Sequence, residues 1–127
     1  MLAGAARRAF LRAGAGCLAA VTFAAMASAQ DQAPRMGEYK LVQVALTTGT
    51  VTGLIVLRAD GTYELYDMPA RSLRSRGNYR YDPAQKRVFW LSGVNYEMGR
   101  GGTFSAEQGG RVHRIAMGPR VYAINGD

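Results

Sequence analysis

Leu54-Ile55-Val56-Leu57-Arg58-Ala59-Asp60-Gly61-Thr62-Tyr63-Glu64-Leu65-Tyr66 is the stretch whose reading decides the fold. Two runs rich in aliphatic, aromatic and β-branched residues flank Asp60-Gly61. Asp-Gly is a strong signal for a two-residue hairpin, because it tolerates the positive φ that such turns require. Later turns repeat the pattern. Pro83-Ala84-Gln85-Lys86 joins Tyr79-Arg80-Tyr81 to Val88-Phe89-Trp90-Leu91, and Pro suits the first corner of a type I turn. Gln108-Gly109-Gly110 and Gly118-Pro119 separate the last three segments. Connections this short make neighbouring strands antiparallel.

The strand-like segments are Gly37–Leu46, Val51–Ala59 and Thr62–Met68, then Gly77–Asp82, Arg87–Leu91, Gly102–Ala106, Arg111–Met117 and Arg120–Asn125. They are rich in Val, Ile, Tyr and Thr, which fit a pleated, half-buried surface. No segment sustains the apolar spacing of a helix. The expected fold class is all-β: an antiparallel up-and-down meander of about eight strands, closed into a small barrel that removes sheet edges, with a β-sandwich as the alternative. In Gly77–Asp82, Tyr79 and Tyr81 take one face while Asn78, Arg80 and Asp82 take the other. Leu54–Leu57 is apolar on both faces, so it is either covered on both sides or an exposed strip open to a partner.

The domain plan is a signal peptide over 1–29, a polar, flexible tail from Gln30 to Met36, and one barrel-like domain over 37–127. The leader is basic (Arg7-Arg8-Ala9-Phe10-Leu11-Arg12), then apolar (Ala13–Ala27), then small (Ala27-Ser28-Ala29), the layout of a removable export signal. Its apolar run falls short of the roughly 20 residues a membrane span needs, so no stable span is expected once it is removed. Arg7, Arg8, Phe10 and Leu11 resemble the signal of the bacterial twin-arginine route, with Arg12 where that signal usually has Lys. The resemblance implies delivery of an already folded protein to the periplasm or beyond, through a receptor-read address. A lipoprotein signal would place an aliphatic residue three positions before Cys17, where Gly14 stands. Loss of the leader removes the only cysteine, and with it any disulfide, Cys nucleophile or thiolate metal site.

Three of the 16 basic residues fall in the leader, leaving 13 against nine acidic residues and a charge of +4 in place of +7. That balance favours loose association with anionic lipid headgroups or polysaccharide, and no nucleic-acid partner is expected outside the cytoplasm.

Catalytic readings find little support. His113 is the only histidine, no Gly-x-Ser-x-Gly elbow is present, and a zinc site would need more ligands. Arg111 and Arg114 would oppose its protonation if they lay close. A copper site assembled from Met98, Met117 and His113 is conceivable, although the methionines are widely spaced and read better as core or loop filling. Asp60, Glu64, Asp67, Asp82, Glu97 and Glu107 are the carboxylates available for hydrolysis, and nothing marks them as paired. No cofactor, metal site or catalytic residue is expected.

Binding is the stronger lead. Aromatic residues occur on nearly every segment, and tyrosines lining a small barrel would offer apolar walls with hydroxyl handles to an amphiphilic guest. Tyr63, Tyr79, Tyr81 and Trp90 are the candidate lining, with a packed aromatic core as the competing reading. Arg71, Arg74 and Arg76 sit in the long connection Pro69–Arg76, where a basic barrel mouth would capture a carboxylate or phosphate head. Ser92–Gly101 reads as a second long connection, a flexible lid or an unconstrained excursion.

Asp60-Gly61-Thr62-Tyr63, Gly77-Asn78-Tyr79-Arg80-Tyr81-Asp82 and Val88-Phe89-Trp90-Leu91-Ser92-Gly93 resemble small exported bacterial β-domains. The broader likeness is to lipocalin-like barrels, with Gly37-Glu38-Tyr39 in place of their Gly-x-Trp start. It implies a small apolar guest. The expected function is thus an exported, non-catalytic β-domain holding a small amphiphilic or anionic ligand in a Tyr-lined interior. The alternative is an interaction protein docking on an envelope partner.

Overall fold

The structure is a computed structural model that describes residues 32–126. The leader residues Arg7, Arg8, Phe10, Leu11, Ala27 and Ala29 lie outside them. Eight strands follow in order: β1 (Gly37–Ala45), β2 (Thr48–Leu57), β3 (Thr62–Asp67), β4 (Ser72–Asp82), β5 (Arg87–Trp90), β6 (Thr103–Glu107), β7 (Val112–Gly118) and β8 (Val121–Asn125). Each pairs antiparallel with the next and β8 returns to β1, giving a closed up-and-down barrel. Closure leaves no strand edge without a partner.

Local chemistry sets the turns, though not always as the sequence suggested. Leu46-Thr47 makes the two-residue hairpin between β1 and β2, whereas Asp60-Gly61 belongs to the four-residue connection Arg58–Gly61. Gly61 supplies the positive φ there (86°), and Asp60 Oδ1 accepts the Thr62 N–H (3.0 Å) and hydroxyl (2.6 Å). The expected long connection Pro69–Arg76 is mostly strand. β4 begins at Ser72, so Arg74 and Arg76 are strand residues and only Arg71 lies in the turn.

Alternation fills the interior. Tyr39, Leu41, Ile55, Leu57, Tyr63, Leu65, Tyr79, Val88, Trp90, Phe104, Ile115, Met117 and Ala123 form one buried cluster to which every strand contributes. Leu54 is buried as well, but on the outer face, opposite Lys40 and Tyr66. The Arg71 guanidinium stacks on Tyr66 (5.8 Å to the ring centre) and pairs with Glu38, which stands opposite Val56. That arginine therefore crosses the outside of β2, and Leu54–Leu57 is covered on both sides.

Ladder strength varies around the barrel. β1 and β2 share nine register pairs, β5 and β6 only one, Arg87 with Thr103. The β5–β6 seam is completed by Val88 N–H to Gly102 O (2.7 Å) and Phe104 N–H to Lys86 O (2.8 Å). Beyond it lies one helical turn, α1 (Val94–Glu97).

Topology gives the barrel two distinct ends. The β1–β2, β3–β4, β5–β6 and β7–β8 connections meet at the α1 end. The other connections, the start of β1 and the close of β8 meet at what we term the Gly37 end.

Candidate functional site

Tyr63, Tyr79 and Trp90 are core residues whose polar atoms are held by the chain's own backbone. The Tyr63 hydroxyl donates to Ser92 O (2.8 Å) and accepts from Asn95 N–H (3.1 Å). The Tyr79 hydroxyl donates to Arg58 O (2.8 Å), and the Trp90 indole N–H to Gly101 O (2.9 Å). Burial raises the pKa of both phenols, so they stay neutral donors. Tyr63 meets Trp90 edge to face at 4.9 Å, and Tyr81, partly buried, meets Phe104 in the same way at 5.7 Å. These four side chains brace the interior and tie it to the connections.

The expected basic mouth is distributed along the outside of β3 and β4, and each arginine has its own carboxylate. Arg71 pairs with Glu38, Arg74 with Asp67 (3.6 Å) and Arg76 with Glu64 (3.1 Å). Glu64 also accepts from Arg58 (2.7 Å) and from the Tyr66 hydroxyl (2.8 Å). The Arg58 hydrogen bond, helped by Tyr66 and Arg76, holds the Glu64 carboxyl down at about 2. A carboxylate so committed is a poor general acid or base at neutral pH. Among the described residues, no group of three or more His, Cys, Asp or Glu side chains converges.

Ser92–Gly101 is anchored rather than free. Glu97 and Met98 N–H bond back to Gly93 and Val94, Gly101 N–H to Met117 O (2.9 Å), and Val94 N–H to the Ser75 hydroxyl (3.0 Å). Asn95 is fully buried beneath this cap.

At the Gly37 end, Arg35 within the expected tail anchors residues 33–36. Its backbone N–H donates to His113 Nδ1 (3.0 Å) and its guanidinium to Asn125 Oδ1 and Gly110 O (both 2.8 Å). Its carbonyl accepts from the Tyr39 hydroxyl (2.8 Å). Burial first, and Arg35 second, push the His113 pKa down. The opposing cation is therefore Arg35, not the chain neighbours Arg111 and Arg114. Met117 lies four residues along β7 from His113, about 13 Å at strand rise, and Met98 is exposed on the α1 cap.

An arrangement suited to a ligand lies on the outside, at the α1 end. A groove of about 330 Å³ runs between the β1–β2 and β7–β8 hairpins. Val44, Leu46, Ala116, Pro119 and Val121 give it apolar walls, and Arg114, Arg120 and Tyr122 give it polar groups. Register places Tyr122 opposite both Val42 and Ala116, facing out. The Arg114 guanidinium lies over its ring at 3.9 Å. Gly49 on β2 leaves room beside Val42, since a Cβ there would lie 3.0 Å from Val42 Cγ1 and 3.9 Å from the Tyr122 hydroxyl. No carboxylate lines the groove, and among the described residues neither arginine has an acidic partner. Two guanidinium groups beside an apolar wall have the chemistry to take an anionic head group with a short tail. The sequence pointed to other tyrosines and arginines, of which Tyr63 and Arg76 line a second outer groove of about 280 Å³ with Glu64 and Ser92, whereas this groove draws on Tyr122, Arg114 and Arg120. The groove's parts are scattered from Val44 to Tyr122, so no local motif marks it.

No protein-family model, no curated protein and no solved structure matches this chain. The fold alone defines its class, a small closed antiparallel up-and-down β-barrel.

Proposed function

We propose that the protein is an exported, non-catalytic binding module that holds the head group of a small anionic amphiphile in the groove beneath Leu46. The observation that carries this reading is a groove without carboxylates that brings Arg114 and Arg120, neither ion-paired among the described residues, beside the apolar walls of Val44, Leu46, Pro119 and Val121. The packed interior and the bonded hydroxyls of Tyr63 and Tyr79 favour the outer groove over an interior guest. Export is supported by the leader sequence around Arg7 and Arg8.

Titration with short-chain phosphatidylglycerol, kept monomeric and followed by amide NMR, tests the groove. Perturbations should concentrate on Val44, Arg114, Arg120 and Tyr122. Arg114→Gln should weaken binding about tenfold or more, since charged hydrogen bonds contribute about 1.5–3 kcal/mol. Perturbations centred instead on Tyr63 and Tyr79 would return the ligand to the interior. For export, Arg7→Lys with Arg8→Lys should retain the protein in the cytoplasmic fraction.

A further inference from the structure

The α1 end carries more than the groove. Leu46 is 91 % exposed, Tyr96 60 % and Met98 54 %, and Leu73 beside the β3–β4 turn is also exposed. Among the described residues, Met36 is the one exposed large apolar side chain at the Gly37 end. Leu46 also has a positive φ of 57°, a conformation that is costly for a residue with a Cβ and cheap for Gly or Asn. Neither turn chemistry nor burial therefore explains a leucine at that tip. Cations stand among these side chains: Arg100 Nη2 reaches Met98 Sδ (3.6 Å), and Arg120 shares the groove with Leu46.

We propose that the α1 end docks on an anionic lipid surface. Leu46, Leu73, Tyr96 and Met98 enter the headgroup layer, while Arg120 and the outward Nη2 of Arg100, whose Nη1 is buried, meet lipid phosphates. The tips come from the β1–β2 and β5–β6 connections and from the start of β4, all at one end of the barrel. Guanidinium groups beside apolar tips complement anionic headgroups over an acyl boundary, the combination interfacial anchors use. The proposal deepens the groove reading by naming a bilayer as the source of the amphiphile, and it rests on that reading only for the role of Arg120.

The test uses the full chain with Cys17→Ser and one environment-sensitive fluorophore, placed through Met98→Cys or, at the Gly37 end, Lys86→Cys. Vesicles of phosphatidylcholine with phosphatidylglycerol should shift the emission at position 98 to the blue and leave position 86 unchanged. Phosphatidylcholine alone should shift neither. Serine at positions 46, 73 and 96 should weaken vesicle binding about tenfold or more, given the transfer energy of the lost apolar groups. Arg120→Gln should weaken it about fivefold. A silent label at 98 with anionic vesicles overturns the proposal, as does an equal response at 86. A label at 98 that answers to a purified protein and to no vesicle also overturns it, and assigns the rim to protein docking. Monomeric short-chain lipid separates the two readings. Groove binding with a silent label at 98 defeats docking alone, whereas a shifted label without groove binding defeats the groove alone.

Discussion

The two ends of the barrel handle their polar and apolar groups in opposite ways. At the Gly37 end, Arg35 satisfies three backbone or side-chain acceptors and donates its own N–H to His113, while Tyr39 and Tyr79 reach local carbonyls. At the α1 end Tyr63 and Trp90 tie the interior to backbone carbonyls, the buried Asn95 amide has no partner among the described residues, and the rim leaves leucines, a tyrosine and a methionine in water. Closing a barrel end does not require that exposure, as the Gly37 end demonstrates. Residues that stability does not explain are where function is most economically sought.

The largest expected effect separates the closure of the α1 end from its rim. A Cβ on Gly102 would lie 2.0 Å from Val88 O, and one on Gly77 2.2 Å from Ser92 O. Backbone atoms cannot yield cheaply, so Gly102→Ala and Gly77→Ala should each destabilise by about 3 kcal/mol or more, read as a fall in the urea midpoint. Gly102→Ala acts on the seam with a single register pair, where opening costs least. A neutral result at both positions would mean that this end is looser than the other.

Next come the two phenols, one tying each end. Tyr63→Phe takes the donor from Ser92 O and leaves the Asn95 N–H without the hydroxyl it donates to. Tyr79→Phe removes the donor to Arg58 O. Losses of about 2 and about 1 kcal/mol are expected, in that order, because an unmet buried group costs more than the net value of a bond. Equal losses, measured by denaturant melts, would erase the distinction between a cap and a tie.

How much of this was legible in the sequence depends on how local each feature is. Asp60-Gly61, Pro83 and Gly109-Gly110 marked their turns because turn chemistry acts within a few residues. Closure followed from short connections between strand-like segments. Residues 72–76 were missed as strand because they carry no alternating burial: Ser72, Leu73, Arg74 and Arg76 are all exposed there. Periodicity reports burial, so a solvent-facing strand held by backbone bonds is silent. Arg35 was missed for a related reason, since the acceptors of its N–H groups lie 75 or more residues away. The groove joins two hairpins that meet only when β8 returns to β1.

Acid should act mainly on the Gly37 end. Among the described residues, His113 is buried with Arg35, the Phe104 ring, Ala106, Asn125 and the Gly110 backbone around it, and no carboxylate faces it. Nδ1 accepts the Arg35 N–H, so protonation there would break that bond and set two cations together. Its pKa is lower folded than unfolded, so the unfolded chain binds the extra proton first, and stability falls as pH drops below the ordinary histidine value of about 6.5. Glu64 on the outer face contributes stability that is fully present above its unfolded value of 4.5 and is lost as pH falls through about 2, a second decline. Thermal melts across pH should therefore decline in two stages, and His113→Leu should remove only the first. A single stage unaffected by His113→Leu would show that the Arg35 latch does not depend on the ring.

The smallest effect on stability has the most to say about the rim. Leu46→Asn keeps the β1–β2 turn and relieves a left-handed backbone that costs a leucine roughly 1–2 kcal/mol, less what Asn itself loses there. The expected outcome is a rise in melting temperature of a few degrees for a gain near 0.5–1 kcal/mol. The same substitution removes the most exposed apolar tip, so binding to anionic vesicles should weaken while the fold improves. Opposite signs in the two measurements are what a residue kept for contact rather than for folding produces. If stability and vesicle binding both fell, Leu46 would be contributing to the hairpin after all, and the contrast between the two ends would lose its strongest single residue.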